Sequence, residues 1–440
     1  MTQTLAYALG IVILIIGIGL SVALHELGHM IPAKRFGVKV TEYFIGFGPR
    51  VWSIRRGETE YGVKAIWLGG YVKLVGMLPP ENPARPDKRD KNGELGVVGQ
   101  ARAEALEEIE PGQEHRAFYR LSVPRKLVVM AGGILTNLVL GVVLLTIAFA
   151  VVGPPARTST LSTVAPCVTA QAGAECTDAD PVSPAAQAGL RAGDTIRAWN
   201  GTPVTTWAQV QQAIADGGTR PAQVDIERDG RRQSVSLTPV EVERPVRDDQ
   251  GTPVTDASGA VVTEKRPFVG VSPVIGTQRL PASQVPAVVG QAVGGTLKAI
   301  ATLPVGLYHA VAAGLGLEER NAEGLIGLVG LGRVAGQASS AEAGQGTVAF
   351  SVRVFLMLSL LGGLNLALFA FNLIPLLPLD GGHVAGACWE GLRRAIAKAK
   401  GRPDPGPVDT ARLIPVGQVV FGLLIVMALI LVWVDIVAPL

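Results

Sequence analysis

His25-Glu26-Leu27-Gly28-His29 is the stretch of this chain whose residue types and spacing carry the plainest chemistry. On a helix, histidines at i and i+4 project from nearly one face, one turn apart, and can hold one divalent ion between them. Glu26 lies beside them, free to act as a base on water that such an ion activates. A second constellation near the other end of the chain reads Asn372-Leu373-Ile374-Pro375-Leu376-Leu377-Pro378-Leu379-Asp380-Gly381-Gly382-His383. A zinc ion on two histidines needs a third protein ligand and an open position for water, and Asp380 is the best candidate. His383 is an alternative ligand or a structural donor. Pro375 and Pro378 free backbone carbonyls, which a membrane protein tolerates only where irregular backbone is buried in protein or lines a wet cavity.

The elements that must position these groups are membrane helices. Leu5 to Leu24 is an unbroken apolar run of twenty that leads into the first motif, and twenty helical residues rise about 30 Å, the thickness of a hydrocarbon core. Two histidines and a carboxylate are costly there unless they face a polar interior, so their position argues for function. The 440 residues are 48% hydrophobic and 17% charged, with a mean hydropathy of +0.36, which sets the chain among membrane proteins. Four runs are long enough to span, about 5–24, 127–152, 354–379 and 413–434. The first reads as a retained span, since it lacks a basic leader and a small-residue cleavage site. Lys and Arg concentrate between the first two spans and between the last two, which predicts that both segments are cytoplasmic. The long segment 153–350 and both termini then lie outside. A net charge of +3 is too small to suggest nucleic acid. Of the three cysteines, Cys167 and Cys176 fall in the exterior segment and are expected to pair, whereas Cys388 falls in a cytoplasmic one and stays reduced.

HELGH ending one span, joined to N-x-x-P-x-x-P-L-D-G-G ending another, resembles the site-2 protease family of intramembrane zinc metalloproteases, most of all its bacterial members. The resemblance implies His25, His29 and Asp380 as zinc ligands, Glu26 as general base, and Asn372 near the scissile peptide. Pro184-Ala185-Ala186-Gln187-Ala188-Gly189-Leu190-Arg191-Ala192-Gly193-Asp194, followed by Trp199-Asn200-Gly201, resembles one PDZ domain of the kind found in bacterial envelope proteases. Asn200-Gly201 and Asp229-Gly230 read as hairpin turns. Val38 to Val75, with turns at Gly46-Phe47-Gly48-Pro49, Arg56-Gly57 and Gly69-Gly70, reads as β-hairpins and resembles the family's membrane-associated β-loop, which offers an edge for strand addition. One departure stands in the second span, where relatives commonly carry Gly-Pro and then Asn but Ala131-Gly132-Gly133-Ile134-Leu135-Thr136-Asn137 has Gly133 instead of Pro. This departure bears on the entry angle of that span and not on the chemistry.

The expected architecture is a polytopic α-helical membrane protein with about four transmembrane helices, a membrane-associated β-hairpin region and an extracytoplasmic PDZ (α+β) domain. Its expected segments are 1–37 with HExxH, the β-loop 38–77, a flexible cytoplasmic loop 78–125 and a span at 126–152. The PDZ domain at 160–275, with an exposed insertion at 242–266, precedes an amphipathic helical linker at 276–350 on the outer membrane face. A span at 351–382 carrying the LDG motif, a cytoplasmic helix or loop at 383–411 and a span at 412–436 complete it. His115 reads as an ordinary surface histidine and His309 as structural rather than a ligand. The resemblance implies a bacterial inner-membrane enzyme, with its site toward the cytoplasmic side. It would cut pre-trimmed single-span membrane proteins of the anti-sigma-factor type in regulated intramembrane proteolysis. The rival readings are a PDZ-bearing scaffold with a structural metal, against which intact Glu26 argues, and a zinc transporter, against which the single hydrolytic cluster argues.

Overall fold

The computed structural model describes residues 3–83, 85–89, 91–169, 175–246, 254–256, 260–321, 324–340 and 348–439. In chain order come α1 (Gln3–Arg35), β1 (Val40–Arg56), β2 (Thr59–Leu74), α2 (Val97–Glu107) and α3 (Val123–Thr146). Then follow β3 (Pro155–Val164), α4 (Pro184–Gln187), β4 (Thr195–Trp199), β5 (Thr202–Pro203), α5 (Trp207–Gly217), β6 (Ala222–Arg228), β7 (Arg231–Leu237), β8 (Val240–Pro245), β9 (Thr263–Phe268) and β10 (Val271–Thr277). The remaining elements are α6 (Val285–Ala301), α7 (Leu303–Gly314), α8 (Leu328–Ser340), α9 (Phe350–Asn372), α10 (Asp380–Ala399) and α11 (Ile414–Val437). They form two compact units, one of Met1–Ala148, Pro281–Ser340 and Leu356–Leu440, the other of Phe149–Leu280 and Ala341–Phe355.

Among the described residues, four helices are long and apolar enough to cross a membrane: Gln3–Arg35, Val123–Val152, Phe350–Asn372 and Thr410–Val437. Much of their apolar surface is exposed, as at Leu20, Leu423 and Leu429, because lipid rather than protein is its apolar partner. Small residues let these helices approach closely. A Cβ on Gly28 would lie 2.5 Å from the Gly132 carbonyl oxygen, so α1 and α3 cross backbone to backbone, and Gly10 similarly brings α1 onto α8.

Three segments differ from expectation. The third span was expected to run to 382 with Asp380 on it, but α9 stops at Asn372 and Asp380 opens α10. Pro375 and Pro378 cannot donate to a helical ladder and disfavour helix in the residues before them, so the run breaks there. The outer linker is more elaborate than one amphipathic helix: α6 and α7 meet at 77°, and together have the length and apolarity of a broken span or re-entrant loop. Within the stretch read as a flexible loop, α2 is anchored by the buried Arg102. Its guanidinium donates to Asp87 and Asp409, both at 2.8 Å, and to the Pro79 carbonyl, tying this stretch to the start of the last span.

The hairpin β1–β2 runs from Val40 opposite Leu74 to Arg56 opposite Thr59. Its near half is buried: Val40 and Tyr43 pack with Met30 and Ala33 of α1 and with Val129 and Met130 of α3. Its far half exposes Phe47, Val51, Trp52, Ile66 and Trp67, an apolar patch of the kind that meets lipid.

In the second unit an antiparallel sheet has the order β10-β3-β4-β6-β7, with β5 paired to β4. Leu161, Ile196, Trp199, Val210, Val224 and Ile226 fill its core. The expected Asn200-Gly201 and Asp229-Gly230 turns are present, with all four residues at positive φ. A capping box between Thr206 and Gln209 starts α5. Cys167 and Cys176 form the expected disulfide, with Cα atoms 6.0 Å apart. Part of the expected insertion is the hairpin β8–β9, while 247–253 and 257–259 lie outside the described residues.

Candidate active site

His25 and His29 leave the last turns of α1 on one face, their rings edge to face with centroids 4.9 Å apart. Asp380 reaches them from the far end of the sequence. Its Oδ2 lies 3.1 Å from His25 Nε2 and 3.3 Å from His29 Nε2, and the two imidazole nitrogens are 3.3 Å apart. Among the described residues these three side chains form the one group whose donor atoms could share an ion.

The geometry fits a tetrahedral cation. Zinc bonded at about 2.0–2.1 Å holds its ligand atoms roughly 3.3 Å apart. Asp380 Oδ2 is buried and, despite its two close nitrogens, makes no hydrogen bond of good geometry. His29 Nδ1 lies 2.8 Å from the Val129 carbonyl, which can only accept. The proton of a neutral His29 is therefore on Nδ1, and its Nε2 presents a bare lone pair toward the carboxylate. Two such electron-rich atoms repel unless a cation or proton lies between them.

The second span supplies what holds the histidines. A Cβ on Gly133 would overlap His29 Nε2 and lie 2.8 Å from His25 Cε1, so no side chain fits there. The departure at this position is thus a packing requirement of the histidine pair in this chain. One turn on, Asn137 is fully buried, and its carboxamide nitrogen is placed 3.0 Å from His25 Nδ1, leaving Oδ1 without a partner. A His25 that offers Nε2 to a cation carries its proton on Nδ1. The Asn137 amide, turned end for end, would accept a hydrogen bond from that N–H through Oδ1. Sequence reasoning noticed Asn137 only as part of a motif. A carboxamide in an apolar span was the signal for a role.

Asp380 is set by a tight turn. Leu376 N donates to the Ile374 carbonyl, and Leu379 N to that of Leu376, between the end of α9 and the start of α10. A Cβ on Gly381 would overlap the Ile374 carbonyl and one on Gly382 would lie 2.6 Å from Leu377 N, so the glycine pair lets the first turn of α10 pack onto this loop. Asp380 occupies that first turn without capping it, because its carboxylate faces the histidines.

A cavity of about 510 Å³ surrounds the three groups, lined also by Glu26, Tyr71, Asn137, Asn372 and His383. Asn372, the last residue of α9, borders the same space. His383 lines it too but lies outside the three-residue cluster. On the hairpin side, a Cβ on Gly70 would sit 2.8 Å from Val22 Cγ1 and 3.4 Å from Glu26 Cγ, so glycine allows β2 to pass against the carboxylate. His309 is elsewhere, 2.8 Å from Glu318.

The chain resembles known proteins over nearly all its length. Zinc metalloprotease Rip1 of Mycobacterium tuberculosis is 33% identical over 444 residues, covering 98% of both chains. The Rip1 of Mycolicibacterium smegmatis is 34% identical over 448 residues, covering 99% of this chain and 98% of that one. Zinc metalloprotease RasP of Geobacillus kaustophilus is 27% identical over 277 residues, 52% of this chain and 62% of that one. The family model for peptidase family M50 matches residues 13–403, which takes in His25, Glu26, His29 and Asp380, and the chain belongs to that family.

Proposed function

We propose that this chain, an intramembrane zinc metalloprotease, binds its zinc through His25, His29 and Asp380 and uses Glu26 as general base. The observation that carries the reading is the meeting of these four residues around one cavity among bilayer-length helices. Zinc, when bound, supplies a Lewis acid that polarises water and a peptide carbonyl. Glu26 holds the proton taken from water and returns it to the leaving amine. Asn137 keeps His25 in the tautomer that presents Nε2, as the Val129 carbonyl does for His29. Asn372 orients the substrate backbone at the cavity edge. The edge of β2 near Gly70 receives an unwound substrate by strand addition, since a peptide still in a helix has its carbonyls occupied.

The substrates are single-span membrane proteins already trimmed outside, of the anti-sigma-factor type. The second unit is a PDZ domain on the exterior side, where both termini lie. Its peptide groove is the cavity of about 690 Å³ bordered by Trp207 and Gln211 of α5 and by Phe268 to Val271. The site opens toward the cytoplasmic side of a bacterial inner membrane, as the Lys and Arg distribution indicates.

Replacing Glu26 by Gln removes the base and leaves the ligands. Purified E26Q should retain zinc and lose cleavage by about a hundred- to ten-thousand-fold. Near-normal turnover by the metal-loaded variant would remove Glu26 from this role and favour a structural metal.

A further inference from the structure

Helix α10 has an apolar face that no part of the described protein covers. At 100° per residue, Cys388, Trp389, Leu392, Ala395, Ile396 and Ala399 fall within an arc of roughly 120°. Trp389 is 54% exposed, Leu392 50% and Ile396 44%. The helix cannot roll to hide them, because Glu390 on the opposite face is buried and paired with Lys126 at 2.8 Å and Arg394 at 3.0 Å. Exposed Lys398, Lys400 and Arg402 cluster at and beyond the C-terminal end of the stripe. Chain continuity fixes where the helix lies. Only residues 373–379 separate it from the bilayer-length α9, and residues 400–413 lead into α11, so both ends are tethered where spans leave the membrane.

We propose that α10 is an interfacial helix that lays this stripe into an anionic lipid surface. An apolar face with tryptophan and leucine, and lysines and arginines alongside, is the pattern that inserts at the boundary between headgroups and acyl chains. The basic residues select anionic headgroups. This goes beyond the proteolytic reading and does not depend on it.

Cys388 is the one unpaired cysteine of the three and stands on the stripe itself, which makes it the probe. The full-length protein, labelled there with a nitroxide, is reconstituted in vesicles of phosphatidylcholine with or without phosphatidylglycerol. Collisions with oxygen and with a water-soluble nickel chelate are then measured. In the anionic vesicles the label should favour oxygen severalfold over nickel, and that contrast should fall in pure phosphatidylcholine and in L392E/I396E. Free collision with nickel in both vesicles of the wild-type chain overturns the proposal. Equal contrast in both vesicles overturns the anionic preference. Dipolar coupling between labels, with oxygen excluded, would instead make the face a contact between two copies of the chain. The two-vesicle comparison stands on the wild-type protein even if the double variant fails to fold.

Discussion

A hydrolytic centre inside a bilayer depends on residues whose contribution is to hold imidazoles still, and Asn137 and Gly133 are such residues. Asn137 touches His25 on the nitrogen away from the proposed metal position. Loss of a partner of this kind lowers metal affinity by about 10- to 100-fold. Asn137→Leu should therefore weaken zinc binding by that order in competition with a chelator, while Asn137→Asp, which keeps an acceptor, should recover most of it. Equal affinities for all three proteins would leave Asn137 a packing residue. The role proposed for Asp380 is different, that of a ligand. Asp380→Ala should lose zinc as well as activity, and elemental analysis of the purified variant reads the difference from E26Q. Full zinc content in Asp380→Ala would transfer the third ligand to His383, the neighbouring imidazole that lines the cavity.

Individual elements are joined by polar contacts at their ends. In the second unit the start of β4 is pinned to the end of β6, since Arg228 Nε lies 2.7 Å from Asp194 Oδ1 and Arg191 N donates to Oδ2 at 2.8 Å. Burial alone would raise the Asp194 carboxyl, but the Arg228 guanidinium and the Arg191 amide outweigh it and hold the group below the usual carboxylate range. A carboxyl depressed in the folded state contributes stability that is fully present above its unfolded value, about 3.9, and is lost as pH falls through the folded one. Hydrogen exchange of β4 and β6 amides in the full-length protein should accelerate as pH falls below about 4, after correction for intrinsic exchange rates. Asp194→Asn should show faster exchange at neutral pH and a flatter acid response. A variant with the wild-type profile would show that the pair contributes nothing to this unit.

At the scale of the whole molecule, the main part of the second unit, Phe149–Leu280, lies in the chain between α3 and α9, both of which bring residues to the cavity. On the proposed exterior placement, a domain at that point of the chain is suited to filtering substrates by the size of what remains outside. Deleting residues 160–275 should let untrimmed substrate be cut and change the rate on trimmed stubs little. Efficient cutting of a folded-ectodomain substrate by the wild-type enzyme would defeat this filter. Loss of all activity on deletion would assign the domain to supporting the fold.

What the sequence alone determined was whatever rests on local pattern. Twenty apolar residues before His25 imply a membrane helix, the i, i+4 spacing of His25 and His29 implies one face, and Asn200-Gly201 implies a hairpin, because each depends on backbone geometry over a few residues. Asp380 could be singled out by its setting of prolines and glycines. Whether it reached the histidines was decided only by the packing of distant helices. The tertiary structure placed it on the first turn of α10 rather than on the third span, since the proline breaks left a turn whose course depends on the glycine contacts at Gly381 and Gly382. It also decided that Gly133 and Asn137 face the histidines, a matter of how α1 and α3 cross. Arg102 lies in the stretch expected to be a flexible loop, yet its partner Asp409 is 307 residues away, and contacts of that separation leave no local period in the sequence.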